Sequence, residues 1–218
     1  LDKAAALGDV DLFNRLVSQG ADPSRSEALH RASKCHDEAK SVAMVSCLIE
    51  QHNMSTETKL HAGYHEGLDR GAERGTPLCS AIFNRNLPIV SELLRHGGDQ
   101  QDLHSAISTA TGGPRVEYFE PALLLLLEAG GASAQKVLRQ SIFRDNLHAA
   151  ALSLEHGADA ALALREQIEE DKLARAQDAN PPKTVEATVY YQKMSQEMKS
   201  LLKDQVAQKA ALDEASKL

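Results

Sequence analysis

Residues 76–99 read TPLCSAIFNRNLPIVSELLRHGGD, and residues 138–159, LRQSIFRDNLHAAALSLEHGAD, align with them without a gap from the first Leu. Residues 1–22, LDKAAALGDVDLFNRLVSQGAD, fall in the same register. Leu1 to Gly20, Leu78 to Gly97 and Leu138 to Gly157 each span 19 positions. Three equal spacings mark an internal repeat, which has to be recognised before any single element is assigned. Within the unit, Thr76 is placed to cap an orphan amide and Pro77 pre-sets the first helical turn. Leu78, Ala81 and Ile82 then recur at helical spacing. Asn86 to Pro88 breaks and restarts the chain. Ile89, Val90, Leu93 and Leu94 make a second apolar face, and Gly97 supplies a left-handed cap. Each unit therefore predicts a hairpin of two short helices, and neither helix is long enough to stand without stacked neighbours.

Working outward, two stretched units appear. One starts at Leu29-His30 and ends near His52, and the other runs from Leu103-His104 to Gly130. Their spans of 23 and 27 positions exceed 19 by four and eight residues, placed between the two helices at 34–40 and 109–120. The count is five units: 1–25, 26–56, 75–100, 101–133 and 136–160.

The TPL start, the paired small residues, NLPIV and the HGGD or HGAD close resemble the ankyrin repeat over residues 1–160. The stretch SVAMVSCLIEQH is also similar to ankyrin segments of large filamentous-fungal proteins. The resemblance implies an all-α solenoid of stacked helix pairs that binds a protein partner through its first helices and its β-hairpin fingers. It also implies that His30 and His104 hydrogen-bond between neighbouring units as structural elements. In a 33-residue repeat the closing Gly precedes the next Leu by about 14 positions. Here the gaps are 9 (Gly20 to Leu29), 6 (Gly97 to Leu103) and 8 (Gly130 to Leu138), so these fingers are trimmed to turns. The gap from His52 to Leu78 is 26, leaving one enlarged finger at 53–75. Loops of that length are typically functional or unstructured. Tyr64, His65, Leu68, Asp69 and Arg70 are the expected partner contacts, Tyr and Arg because they carry disproportionate energy at interfaces.

Past the repeats, residues 161–178 read as a charged capping helix, stopped by Asn180-Pro181-Pro182. Residues 183–218 read as an amphipathic C-terminal helix with a frayed end, its stripe made of Val185, Val189, Met194, Met198, Leu201 and Leu202. With Tyr190 and Tyr191 this stripe has the makings of a docking helix, but packing on its own domain is the preferred reading.

Composition agrees with an all-helical core. Apolar residues make up 42% of 218, aromatic residues only 4%, and there is no Trp, so Leu, Ala, Ile and Val must fill the interior. A net charge of −7 argues against nucleic acid or an anionic membrane as partner. The longest apolar run, Leu123 to Leu127, is far short of the roughly 20 residues that a membrane span requires. Cys35, Cys47 and Cys79 lack a close pair, which fits a reducing intracellular compartment, cytoplasmic or nuclear. The chain opens without Met, inside a helical pattern, and reads as a monomer or as part of a larger multidomain chain.

No catalytic, cofactor or metal site is expected. His61 and His65 have i, i+4 spacing, and Cys35, His36 or Glu66 would be needed to complete a zinc set, but Gly63 and Gly67 argue against the helix it requires. His96 and His156 sit where a ring can satisfy end carbonyls, and Cys79 reads as a buried thiol. Gly112-Gly113-Pro114-Arg115 lacks the Lys-Ser/Thr ending and preceding strand of a phosphate loop and reads as a turn. Glu169-Glu170-Asp171 reads as a solvated helix face. The expectation is a non-catalytic protein-protein interaction module. Its rival is a small-molecule-binding or enzymatic scaffold, with a pocket walled by the 34–40 and 109–120 insertions.

Overall fold

A computed structural model describes residues 1–59, 75–98, 103–112, 117–129, 133–166 and 195–215. The described residues form helices and turns, with no strand among them, so the chain is all-α. It divides into two compact units, Leu1–Ala132 and Ser133–Leu218.

The first unit holds four helix pairs: α1 (Asp2–Leu7) with α2 (Val10–Ser18), α3 (Ala28–Ala32) with α4 (Glu38–Ser46), α5 (Pro77–Phe83) with α6 (Leu87–Arg95), and α7 (Leu103–Ala110) with α8 (Glu120–Ala129). First helices touch in series, α1 on α3, α3 on α5 and α5 on α7. Second helices do the same, α2 on α4, α4 on α6 and α6 on α8. The core lies between the two rows and includes Phe13, Leu29, Met44, Leu48, Leu78, Ile89, Leu93, Leu123 and Leu126, all fully buried. The second unit holds a fifth pair, α9 (Ala134–Arg144) with α10 (Leu147–Glu155), then α11 (160–166) and α12 (Gln196–Ala215).

Local chemistry explains why the pairs repeat. Between the helices of pairs one, three and five stands a left-handed residue: Gly8 (φ 67°), Arg85 (57°) and Asp145 (53°). The next residue, Asp9, Asn86 or Asn146, accepts the amide N–H of Leu12, Ile89 or Ala149 at 2.9, 3.3 and 3.0 Å. Each second helix thus begins on an Asx cap, which satisfies an orphan donor. At the far end, Gly20, Gly97 and Gly157 have φ of 96°, 73° and 88°. The following amides reach back to Leu16, Leu93 and Ser153 carbonyls at 3.1, 2.9 and 3.0 Å, the double-bonded Schellman close.

Three local expectations are corrected. Thr76 does not cap an amide, since its hydroxyl donates to Cys79 Sγ at 3.6 Å. The second pair closes one residue later than His52: α4 continues into a π-turn, Cys47–Gln51, and the left-handed residue is Asn53 (φ 50°). Asn tolerates that conformation where Gly is lacking, and the wider turn absorbs one added residue. In the second unit the C-terminal helix runs to Ala215, where fraying was expected, because its Ala, Lys and Gln residues are strong helix formers. Met198 and Leu202 on α12 are fully buried with Leu138, Ile142, Ala150, Ala160 and Ala163, so the described part of the stripe packs on its own unit. Val185, Val189, Tyr190, Tyr191 and Met194 lie outside the described residues, as does the 167–178 part of the capping helix.

Candidate partner-binding face

The enlarged 53–75 segment leaves and rejoins the helix pairs at fixed points. At its start, Met54 N–H donates to Leu48 O at 3.0 Å, and Glu57 N–H donates to Ser55 Oγ at 3.2 Å. At its end, His30 Nε2 lies 3.1 Å from Gly75 O. His30 is buried on α3, and burial lowers its pKa below the ordinary value, with the Gly75 contact opposing. A neutral ring donating Nε2–H to that carbonyl fits both facts. The bond joins the second pair to the entry of the third, as expected of His30, whereas His104 is exposed on α7 and does not share that burial. Tyr64, His65, Leu68, Asp69 and Arg70 lie outside the described residues, as do His61 and Glu66.

Two of the first helices, α3 and α5, are largely buried. On α5 every residue from Pro77 to Ile82 is buried, and on α3 Ala28, Leu29, His30 and Ala32 are buried. What α3 leaves partly open is Arg31, whose guanidinium pairs with Glu27 one turn back. Small apolar side chains sit on all sides of these short helices, and the period of the sequence could not tell which sides neighbours would cover.

The insertions between helices are held by one turn of the third pair. Asn86 Nδ2 donates to Cys35 O at 3.1 Å, and Asn84 Nδ2 to Ser33 Oγ at 3.0 Å, which fastens the 34–40 insertion. Between them, Arg85 donates to Glu117 Oε2 at 3.0 Å and Tyr118 O at 3.1 Å, and its guanidinium lies 5.2 Å from the Phe119 ring centroid. That fastens the end of the 109–120 insertion. Burial, and then Glu120, push the Tyr118 phenol up to about 12, so it stays protonated. Gly112 has φ 78° after a last helical turn in which Thr111 Oγ1 donates to Ile107 O at 2.9 Å; Gly113 to Arg115, the rest of the expected turn, lie outside the described residues.

Two polar clusters went unforeseen. On one flank of α6, Glu92 receives Ser46 Oγ–H at 2.6 Å and the Arg95 guanidinium at 2.7 and 3.0 Å. These bonds, that from Arg95 first, hold the Glu92 carboxyl down to about 2 against burial. Arg95 Nη2 also reaches Glu50 Oε1 at 3.3 Å and His96 Nε2 at 2.8 Å. His96 therefore joins a carboxylate network and does not cap carbonyls, whereas His156 Nδ1 meets Leu152 O at 2.9 Å as expected. The signal was present as Glu92, Arg95 and His96 at i, i+3, i+4, but Ser46 is reached only through stacking.

The second cluster joins α2 to the π-turn. His52 Nε2 lies 2.8 Å from Asn14 Oδ1, and Cys47 Sγ lies 3.7 Å from the same oxygen. Cys, His and Asn together suggest a nucleophile, but here the imidazole donates to the Asn14 amide oxygen, and the thiol faces two amide oxygens, Gln51 Oε1 at 3.4 Å and Asn14 Oδ1 at 3.7 Å. Amide oxygens are not bases that could activate the thiol, and burial pushes it up. The cluster is a structural joint, packed under the Phe13 ring, whose centroid lies 5.3 Å from that of His52. Cys35, Cys47 and Cys79 are all buried and unbridged. Among the described residues no three His, Cys, Asp or Glu side chains gather at metal-binding range, and no described helix is long and apolar enough to cross a membrane.

Compared with family models, curated proteins and solved structures, the chain matches none.

Proposed function

We infer that the chain is an ankyrin-type solenoid acting as a non-catalytic interaction module, with the 53–75 segment as its principal contact to a protein partner. The observation that carries this reading is the anchoring of that segment: it departs at Met54 on Leu48 and returns at Gly75 on the buried ring of His30. Both described ends of the segment are thus held on the helix pairs. The repeated Asx-capped, Schellman-closed helix pairs and the serial contacts of first and second helices support the ankyrin reading. The burial of α3 and α5 leaves the exposed parts of the other first helices and the segment itself as the contact region, with Tyr64, His65, Leu68, Asp69 and Arg70 as the recognition residues of the segment.

Peptide-resolved hydrogen exchange tests the reading. Protection across 53–75 should rise with a macromolecular fraction, and Tyr64→Ala with Arg70→Ala should cancel the rise while helix protection stays unchanged. Protection appearing instead at 109–120 on adding small molecules would overturn it in favour of a ligand pocket.

A further inference from the structure

The end of α6 gathers charged groups from two helix pairs around one histidine. Arg95 Nη2 lies 2.7 Å from Glu92 Oε1, 3.3 Å from Glu50 Oε1 and 2.8 Å from His96 Nε2. His96 Nε2 in turn lies 3.3 Å from Glu92 Oε1 and 3.6 Å from Glu50 Oε1. The side chains of His96 and Glu92 are only 16% and 11% exposed, so what happens between them is less screened than a surface contact. Among the described residues the charged groups that face the ring are Glu92 and Arg95 of α6 and Glu50 of the π-turn. The other helices packed on α6 add none: Glu38 and Lys40 of α4 and Glu120 and Glu128 of α8 make no ion pair with it, and α5 carries no charged residue.

The short contact to Arg95 fixes the state of the ring. A guanidinium only donates, so at 2.8 Å His96 Nε2 must accept with its lone pair, and the ring is neutral with its proton on Nδ1. In that state the ring offers nothing to Glu50. A protonated ring carries N–H at both nitrogens and cannot stay on the guanidinium. Of the two carboxylate oxygens within reach, Glu92 Oε1 is already engaged by the Ser46 hydroxyl and by Arg95, at 2.6 and 2.7 Å, whereas Glu50 Oε1 is held more loosely at 3.3 Å. A shift of about 0.8 Å brings the ring to charge-assisted hydrogen-bond distance of Glu50. His30 and His52 differ, because each donates Nε2–H, to Gly75 O and to Asn14 Oδ1, and a second proton leaves those partners unchanged.

Glu50 belongs to the turn from which the 53–75 segment departs, the same turn whose Leu48 carbonyl receives Met54 N–H at 3.0 Å. Two residues past His96, a Cβ added at Gly98 would come within 3.4 Å of Thr56 Cβ, so the start of the segment rests on the close of α6. We propose that this cluster is a proton-operated joint: on taking a proton, His96 leaves Arg95 for Glu50 and holds the π-turn, and with it the start of the 53–75 segment, more firmly on α6. Arg95 keeps its bonds to Glu92, whose carboxyl is held down at about 2, so neither changes charge where histidines titrate, roughly pH 5 to 8. The joint is a property of the helix pairs and does not depend on what the segment binds.

Imidazole nitrogen NMR and peptide-resolved hydrogen exchange of the full chain, between about pH 8 and about pH 5.5, test it. At the upper end His96 should show the Nδ1–H tautomer. Toward the lower end, protection factors across residues 48–57 should rise roughly two- to fivefold, the strength of a part-exposed ion pair. His96→Gln should abolish the rise. Glu50→Gln should abolish it too, while the His96 titration itself stays visible. An Nε2–H tautomer at the upper end, a flat or falling protection profile, or a rise that survives either substitution would overturn the proposal.

Discussion

Gly8 and Gly20 both adopt positive φ, 67° and 96°, yet alanine at the two positions should have different consequences. At Gly20 an added Cβ meets nothing within 4 Å, so Gly20→Ala carries only the left-handed strain, offset by lower entropy of the unfolded chain. The net loss is about 1 kcal/mol. At Gly8 the same Cβ lands 2.6 Å from Lys40 Cβ, 3.0 Å from Cys35 Sγ and 3.2 Å from the Lys40 carbonyl carbon. None of these is the free end of a flexible chain, so the insertion carrying Cys35 and the start of α4 must move. Overpacking of this kind adds ~1–3 kcal/mol, bringing Gly8→Ala to ~2–4 kcal/mol. Equilibrium urea unfolding followed by far-UV circular dichroism measures both variants. A double-mutant cycle with Lys40→Gly isolates the contact: removing the Lys40 Cβ should recover a large part of the extra loss at Gly8 and none of the loss at Gly20. Equal destabilisation by Gly8→Ala and Gly20→Ala, or no coupling to Lys40, would refute the close packing of the 34–40 insertion on the first inter-helix turn.

Glu92 has a folded-state pKa of about 2 against an ordinary 4.5, so its contribution is complete above pH 4.5 and is lost as pH falls toward 2. Arg95 is largely in solvent, so screening limits the effect to about 1 kcal/mol; Glu92→Gln should flatten that part of the stability-pH profile, and an unchanged profile would count against it. Asp145→Gly should raise stability by about 1 kcal/mol by relieving a left-handed non-Gly residue. Arg85→Gly should not, because it also severs the bonds to Glu117 and Tyr118; thermal melts of the pair will show whether the two diverge. Met198→Ala should cost ~2–5 kcal/mol through a cavity beside Leu138 and Leu202, whereas the exposed Leu212→Gln should stay within about 0.5 kcal/mol. Exchange protection confined to residues 133–215 reports both.

The inter-helix turns and closing glycines of the first, third and fifth helix pairs were legible in the amino-acid order, because each is settled within a few residues. An Asx oxygen reaches an amide three positions on, and a left-handed Gly returns amides to carbonyls three and five positions back. The role of His30 as a bridge between pairs was legible through the resemblance, and the structure supplies its acceptor, Gly75 O. Other features waited for the tertiary structure. Periodicity marks an apolar face but not how many neighbours will cover a helix of five to seven residues, so the burial of α3 and α5 was not foreseen. The capture of both insertions by Asn84, Arg85 and Asn86 depends on groups 32 to 53 positions apart in the chain. His96 was drawn from carbonyl capping to a carboxylate by the same cause, since Ser46, Glu50 and Glu92 converge only when α4 lies on α6. Local capping chemistry decides where the second helices α2, α4, α6 and α10 start. Stacking alone decides which polar groups meet, because their partners lie on different pairs.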